Sequence, residues 1–388
     1  MITIDKADRC CGCGACTEVC AHNAISMSAD KEGFLYPKVD ANACVDCGLC
    51  ERVCPFLNGG NERTPKRTIA ASNGNEKVRR RSSSGGLFYL LAEATIAEGG
   101  VVVGARFADD WSVVHDVAET IEDCIPFMGS KYVQSRLGDI FQRVRTYLNA
   151  GRKVLFSGTP CQVSALHRFL RRDYDNLLLV DVVCHGVPSN EVWQRYLDEV
   201  VERVSSKRSD IDSIFFRDKR NGWRNYGLQI LFKDGKELFV PFRENPFMQL
   251  FLKDLSIRPS CYECRCRGGR SGADISLADF WGVDKVLHCN DDNMGTSLII
   301  VWSNRGDEFI SCLDVGGNTA PYYKVVKYNP AIAISPRVPY LRTTFWRNFA
   351  ESGVENSAYL AKQVKWTRLQ KWSFSLRKHF ILTKLKLK

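Results

Sequence analysis

The sequence of 388 residues contains no apolar run approaching the roughly 20 residues that a bilayer-spanning helix needs. Its start, Met1-Ile2-Thr3-Ile4-Asp5-Lys6, lacks the apolar core of a secretory signal. No Walker-type phosphate loop occurs, and no G-x-G-x-x-G follows a strand-like run, which excludes the standard nucleotide-binding motifs. Asp and Glu are missing from residues 362–388, where nine Lys or Arg stand. That tail carries nearly all of the formal charge of +10, so the body is close to neutral and a broad nucleic-acid-binding face is not expected. Hydrophobic residues at 45% and charged residues at 25% describe a soluble globular chain, with room for a small module plus one large domain.

Cysteine, by contrast, is abundant: 17 residues, an odd number that full disulfide pairing cannot satisfy. Eight of them form two runs of the pattern C-x2-C-x2-C-x3-C: Cys10, Cys13, Cys16, Cys20 and Cys44, Cys47, Cys50, Cys54. Each member of the second run lies 34 residues after its counterpart, so the segment is an internal duplication. Two-residue gaps let one backbone turn wrap three corners of a cubane, and the fourth cysteine swings away to the other cluster. The spacing therefore assigns Cys10, Cys13, Cys16 and Cys54 to one [4Fe–4S] cluster, and Cys44, Cys47, Cys50 and Cys20 to a second. Zinc knuckles would use longer spacers, and disulfides would need an oxidising compartment. Pro55 closes the second run, whereas Ala21 stands at the equivalent place of the first. Residues 1–58 resemble the bacterial two-cluster ferredoxins, which implies an α+β ferredoxin-like domain. Cys11 matches no ligand position and is expected to be a spectator.

Residues 59–67, with Gly59, Gly60, Asn61 and Pro65, read as a linker. Beyond it come strand–loop–helix units. A helix over Leu87–Ala97 follows Ser82-Ser83-Ser84-Gly85-Gly86, and Val101–Phe107 is a buried strand. Lys153–Ser157 and Leu177–Val183 are strands followed by helices reaching about Leu170 and Val204. Such units in succession predict an α/β domain with parallel strands and ligands at the strands' carboxyl ends. Alternation around Lys233-Asp234-Gly235-Lys236 predicts a hairpin between Ile211 and Pro241. Ala273–Leu277 and Ser297–Trp302 are further strands.

Cys161 and Cys184 open two strand-end loops, and Cys261 and Cys264 form a C-x2-C after Arg258-Pro259. Four thiolates suit a third [4Fe–4S] cluster, but spacing alone leaves zinc, a redox dithiol or simple packing open. Cys266 is a substitute ligand; Cys124, Cys289 and Cys312 are expected to pack. Ser83, Ser84, Gly85 and Gly86 at a helix start could cradle phosphate or merely cap the helix.

Taken in order, several loops carry a resemblance. They are Ser83-Ser84-Gly85-Gly86, Gly129-Ser130-Lys131-Tyr132, Gly158-Thr159-Pro160-Cys161-Gln162, Cys184-His185-Gly186, Arg217-Asp218-Lys219 with Gly222-Trp223, and Ala273-Asp274-Ile275 through Asp279-Phe280-Trp281-Gly282. The ordered set resembles the coenzyme F420 hydrogenase/dehydrogenase beta-subunit family, over about Ile69 to Arg342. Ala278 departs from a glycine expected there. The resemblance implies an α/β flavin-binding domain at 68–345 and the third cluster on Cys161, Cys184, Cys261 and Cys264. It also implies FAD held by Ser83, Ser84, Gly85, Gly86, Lys131, Gly158, Thr159, Gln162 and Asp279.

The expected activity is an electron relay between the clusters and FAD, ending in hydride exchange with a small acceptor, deazaflavin-like or other. Lys131 and His185 are candidate proton donors, with His185 equally readable as a loop-holding histidine. The alternatives are a non-catalytic electron-transfer subunit and, less favoured, a nucleic-acid-binding cluster protein. The implied partners are a ferredoxin or oxidoreductase subunit and a small-molecule substrate. The location is expected to be cytoplasmic. In the tail, 346–388, Trp366, Leu369, Trp372, Leu376, Phe380 and Leu387 recur at helical steps among cations. That stripe suits either the protein core or peripheral contact with the inner membrane face, and the charge also suits contact with an acidic ferredoxin partner.

Overall fold

The computed structural model describes residues 1–313, 315–366 and 368–386. Leu387 lies outside them, as does the side chain of Leu369. The N-terminal segment pairs β1 (Ile25–Ala29) with β2 (Leu35–Val39) in an antiparallel hairpin between the two cysteine runs. Short helices, Ala15–Glu18 and Leu49–Arg52, follow glycines in the left-handed region, Gly14 and Gly48. The duplication is thus structural as well as sequential.

The large unit is built on an eight-stranded sheet. Its strands are β3 (Arg67–Ala71), β4 (Val101–Phe107), β5 (Val113–Ala118), β6 (Val154–Gly158), β7 (Leu177–Val182), β11 (Ile275–Asp279), β12 (Ser297–Val301) and β13 (Asn318–Thr319). The order is β13-β3-β12-β11-β7-β6-β4-β5. The four strands β11, β7, β6 and β4 are parallel, and both flanks are antiparallel. Alternation explains why the sheet is covered twice. Val101, Val103, Val154, Phe156, Leu177 and Leu179 face helices Ile140–Asn149 and Pro160–Leu170. Val102, Leu155, Leu178 and Val180 face helix Leu87–Ala97. A period of two with apolar residues on both faces is what a central parallel strand requires.

The remaining strands, β8 (Ile211–Asp218), β9 (Gly227–Phe232) and β10 (Glu237–Pro241), form a separate antiparallel sheet. The expected hairpin is β9–β10, and β8 adds a third strand beside β9. This sheet packs on helices Asn190–Arg203, Pro246–Leu252 and Arg342–Ser357. Phe345, Val354, Leu360 and Ala361 belong to that core, and the helical segment Arg342–Ser357, kinked at Gly353, spans position 346.

The ferredoxin-like segment is docked firmly rather than tethered. Arg258 is fully buried; its Nε donates to Cys10 O at 2.7 Å, its Nη2 to Leu35 O at 2.8 Å, and its plane lies over Tyr36. Arg342 pairs with Glu32, and Gln142 donates its N–H to Glu18 Oε2 at 3.0 Å. Residues 59–67 are likewise held: Arg63 donates to Gly269 O and Ala273 O at 2.7 and 2.6 Å.

Candidate functional site

Because β6 and β7 are parallel neighbours, the loops after them emerge side by side. Cys161 sits on the first turn of helix Pro160–Leu170, and Cys184 follows β7. The segment bearing Cys261 and Cys264 is brought to them by main-chain bonds. Arg258 N–H donates to Val187 O at 3.0 Å, and Cys261 N–H to Arg258 O at 2.9 Å. A side chain at Gly186 would touch Cys261. The thiols of Cys161, Cys261 and Cys264 lie close enough to Cys184 to raise it, and those of Cys161 and Cys264 close enough to raise Cys261. Burial pushes Cys184 well up and Cys261 to about 12. Cys264 is held down at about 6, first by the Cys266 thiol and also by Arg267.

Two further cysteines belong to this neighbourhood. Cys266 is buried against Cys264. Cys11, expected to be a spectator, is buried in contact with both Cys13 and Cys161, and those contacts raise its thiol. The first cysteine run therefore meets the second constellation directly. Only its doublet neighbour Cys10 marks Cys11 in the sequence, so no spacing rule could have found this contact. Cys124 packs in the core as expected, whereas Cys289 and Cys312 are exposed; both lie just past the ends of helices, facing solvent. Among the described residues no disulfide forms.

The charge balance is informative. Arg258 and Arg267 are both buried, yet among the described residues neither guanidinium faces a carboxylate at ion-pair distance. Arg258 spends its donors on two carbonyls and Gln134, and Arg267 on Ala331 O and His185 O, leaving its Nε without a partner. A buried cation needs a counter-charge. The groups beside Arg258 are the thiols of Cys10 and Cys13, and those beside Arg267 are Cys184, Cys261 and Cys264. Thiolates ligating an anionic cluster would supply that charge at both places, so the donor sets fit iron–sulfur groups. Among the described residues no three His, Cys, Asp or Glu groups converge as a single metal ion requires. A cubane is ligated at its corners and does not require such convergence.

Most loops carrying the resemblance also gather at the sheet's carboxyl edge, while Ala273-Asp274-Ile275 lies at the amino end of β11. Ser83 Oγ accepts from Ser130 N–H at 2.6 Å, joining the serine loop to the Lys131 loop. Lys131 is half-buried, its Nζ donating to Met128 O and Gly129 O at 3.1 and 3.2 Å. Desolvation lowers its pKa to about 7. Arg217 on β8 pairs with Asp279 at 2.8 Å, stands over Tyr226, and leaves Nε and Nη2 unpartnered although buried. Trp223 stacks on Trp281 at 4.2 Å beside it.

Several of the residues expected at the cofactor also bond within the protein. Gln162 Oε1 accepts from Thr159 N–H at 2.9 Å in a capping box, and its amide donates to Ser135. A side chain at Gly158 would press on Gln162. Ser84 Oγ donates to Thr296 O, and Gly85 N–H to Ser297 Oγ at 2.9 Å. Gly86 starts helix Leu87–Ala97 at φ 83°, with no side chain capping the first turn. The free N–H groups there and the spare donors of Arg217 are anion-seeking features. His185 Nε2 is hydrogen-bonded to Asp254 at 2.6 Å, and its ring meets Phe251 edge-on.

A cavity of about 1340 Å³ opens beside the cysteine constellation, where Cys264, Tyr262, Arg265 and Arg342 meet Arg377 and Phe380 of helix Arg368–Lys386. Its walls come from segments far apart in sequence, so no motif announces it.

Duplicated cysteine runs packed against a third group of thiols define an iron–sulfur electron-transfer protein, and comparison with known proteins agrees. Residues 9–58 match the 4Fe–4S dicluster domain, and residues 151–318 match the C terminus of the coenzyme F420 hydrogenase/dehydrogenase beta subunit. The chain thus joins an N-terminal segment matching the 4Fe–4S dicluster domain to a segment matching that beta-subunit family. It is similar to one of the subunits of the F(420)H(2) dehydrogenase of Methanosarcina mazei, at 24% identity over 291 residues, 71% of this chain and 77% of the relative. A chain of the F420-reducing [NiFe] hydrogenase complex from Methanosarcina barkeri aligns at TM-score 0.45 and 17% identity, covering 78% of this chain and 92% of that one. Among the described residues, no helix is long and apolar enough to cross a membrane.

Proposed function

We propose that the chain is an iron–sulfur flavoprotein oxidoreductase that carries electrons between an external protein and a small acceptor. The observation that supports it most is the pair of buried arginines without carboxylates, Arg258 and Arg267, each set against a different group of cysteines. Cys10, Cys13, Cys16 and Cys54 would hold one cluster, and Cys44, Cys47, Cys50 and Cys20 another. Cys161, Cys184, Cys261 and Cys264 would hold the third, with Cys11 at the junction. FAD would lie along the Ser83–Gly86 and Gly129–Tyr132 loops, its anionic part toward the uncapped helix start and Arg217. When bound, clusters pass single electrons, and FAD collects two for hydride exchange.

The chain's own groups then have separable tasks. Arg258 and Arg267 provide fixed positive charge. Asp279 holds Arg217 in place. Lys131 Nζ, lowered to about 7 by desolvation, can hold or release a proton near neutral pH. His185, locked on Asp254, fixes the loop that presents Cys184, and Gln162 fixes the one that presents Cys161. A deazaflavin of the F420 type is the acceptor suggested by the relative's name.

The test is reduction of added deazaflavin by anaerobically purified, dithionite-reduced protein containing about one FAD per chain. Lys131→Met is expected to lower the rate about 10²-fold or more while retaining flavin. A flavin-free preparation would end the flavoprotein reading. The second reading, an electron-transfer subunit without its own catalysis, is favoured by the exposure of Cys47 and by the relative being one component of a dehydrogenase. Turnover only after adding a partner subunit would select it.

A further inference from the structure

The C-terminal helix Arg368–Lys386 uses one face to dock and leaves another bare. Ile381, Leu382 and Leu385 pack on the core around Val325 and Val326, and Lys384 pairs with Glu62 at 2.6 Å. At about 100° per residue these three point nearly opposite to Trp372, Leu376 and Phe380. Those three form a stripe at four-residue steps and are 64%, 47% and 71% exposed. The periodic apolar residues visible in the sequence are therefore not the docked ones. The face that enters the core is shorter and falls between them.

The bare stripe does not stand alone. Arg337 donates to Ser373 Oγ at 2.7 Å, which brings the 337–340 loop alongside the helix, and Tyr340 Oη donates to Gln363 O at 2.8 Å at the end of the preceding short helix Tyr359–Gln363. Val338 and Tyr340 are 56% and 58% exposed there. Val338 and Phe380 share the rim of the large cavity. Exposed large apolar side chains thus collect on one surface, mostly from a stretch of chain between 338 and 380. Arg377 flanks the stripe on one side and Arg368 on the other, and no acidic residue occurs from 362 to 388.

We propose that this surface rests on an anionic lipid bilayer. Leu376 and Phe380 would enter the boundary between headgroups and acyl chains, Trp372 and Tyr340 would lie at headgroup depth, and the flanking cations would meet anionic headgroups. The helix lies in the interface plane, so the absence of a membrane-crossing helix among the described residues is compatible with this placement. The charge selects a negative surface, and the aromatic and aliphatic stripe selects one with an apolar layer beneath it. A bilayer offers both together. The inference stands whichever acceptor the protein uses.

Flotation of the full-length, cofactor-loaded protein tests it, using phosphatidylcholine vesicles with and without phosphatidylglycerol. The protein is expected to float with the anionic vesicles and to stay behind with the neutral ones. The triple variant Trp372→Glu, Leu376→Glu, Phe380→Glu changes only exposed side chains and should keep its cofactors. It is expected to lower vesicle partitioning at least about a hundredfold. Arg368→Gln and Arg377→Gln should each lower it about fivefold. No flotation of the wild type at low salt would overturn the proposal. So would equal flotation of the triple variant, or equal flotation with both kinds of vesicle. Binding of the wild type to an acidic protein and to neither vesicle would show a protein-docking face and overturn it as well.

Discussion

The two cysteine runs have the same spacing and the same backbone, and quite different surroundings. Gly12 and its counterpart Asp46 both adopt positive φ, 68° and 51°. At Gly12 a Cβ would stand 2.6 Å from Arg258 Nη1, whereas Asp46 faces solvent and pairs with the Met1 amino group. Cys11 is 6% exposed against Cys161; its counterpart Val45 is 60% exposed. Coordination is set by the repeated pattern, and the position of each run in the molecule is set by the residues between the ligands. The inner run is fitted to the large domain, and the outer run faces solvent. This gives two equivalent cluster sites a direction: an outer one open to a partner and an inner one beside the second cysteine constellation.

That asymmetry can be broken most severely at Arg258. Arg258→Ala would leave Cys10 O and Leu35 O buried without donors and remove the charge beside Cys10 and Cys13. A loss of about 3 kcal/mol or more is expected, with iron lost from the inner site. Chemical denaturation and iron analysis would measure both. An exchange within the repeat comes next. Gly12→Asp is expected to cost about 2–4 kcal/mol, combining the unfavourable φ with a clash against a buried guanidinium. Asp46→Gly should leave stability nearly unchanged. Equal costs would mean that the inner run is not fitted to its partner. Chelation under reducing conditions sharpens the contrast in rate: the outer site, with Cys47 exposed, should lose iron before the inner one. The smallest effect is expected from Cys11→Val, which copies the outer run and conserves volume, at under about 1.5 kcal/mol. Its value lies in electron transfer, since it removes the sulfur between Cys13 and Cys161. Rapid reduction followed by freeze-quench spectroscopy would detect a slower appearance of reduced inner constellation.

Periodicity and spacing made much of this architecture readable. The cysteine runs announce themselves because cluster ligation repeats at short intervals. Helix Leu87–Ala97 and strands β4, β6 and β7 were legible because burial on both faces leaves unbroken apolar runs. What escaped depends on contacts between distant segments. Nothing in the sequence around Arg258 says that it reaches Cys10, and β8 could not be told from the hairpin beside it. Gln162 and Gly85 look like ligand-binding residues in their motifs, yet their polar groups bond within the protein. The tail misleads in a different way. Its longest apolar period is the exposed one, because Ile381, Leu382 and Leu385 suffice to dock the helix. The counterpart of Gly12 in the repeat was a usable signal: a required left-handed position that tolerates Asp in one run and is Gly in the other marks a crowded side.

On the proposed reading the inner run abuts a third cluster held by Cys161, Cys184, Cys261 and Cys264. Iron content of anaerobically purified wild-type protein and of Cys264→Ala tests it most directly. The account predicts about twelve irons per chain falling to about eight, with the signals of the two ferredoxin-type clusters preserved. About eight irons in both proteins would contradict it.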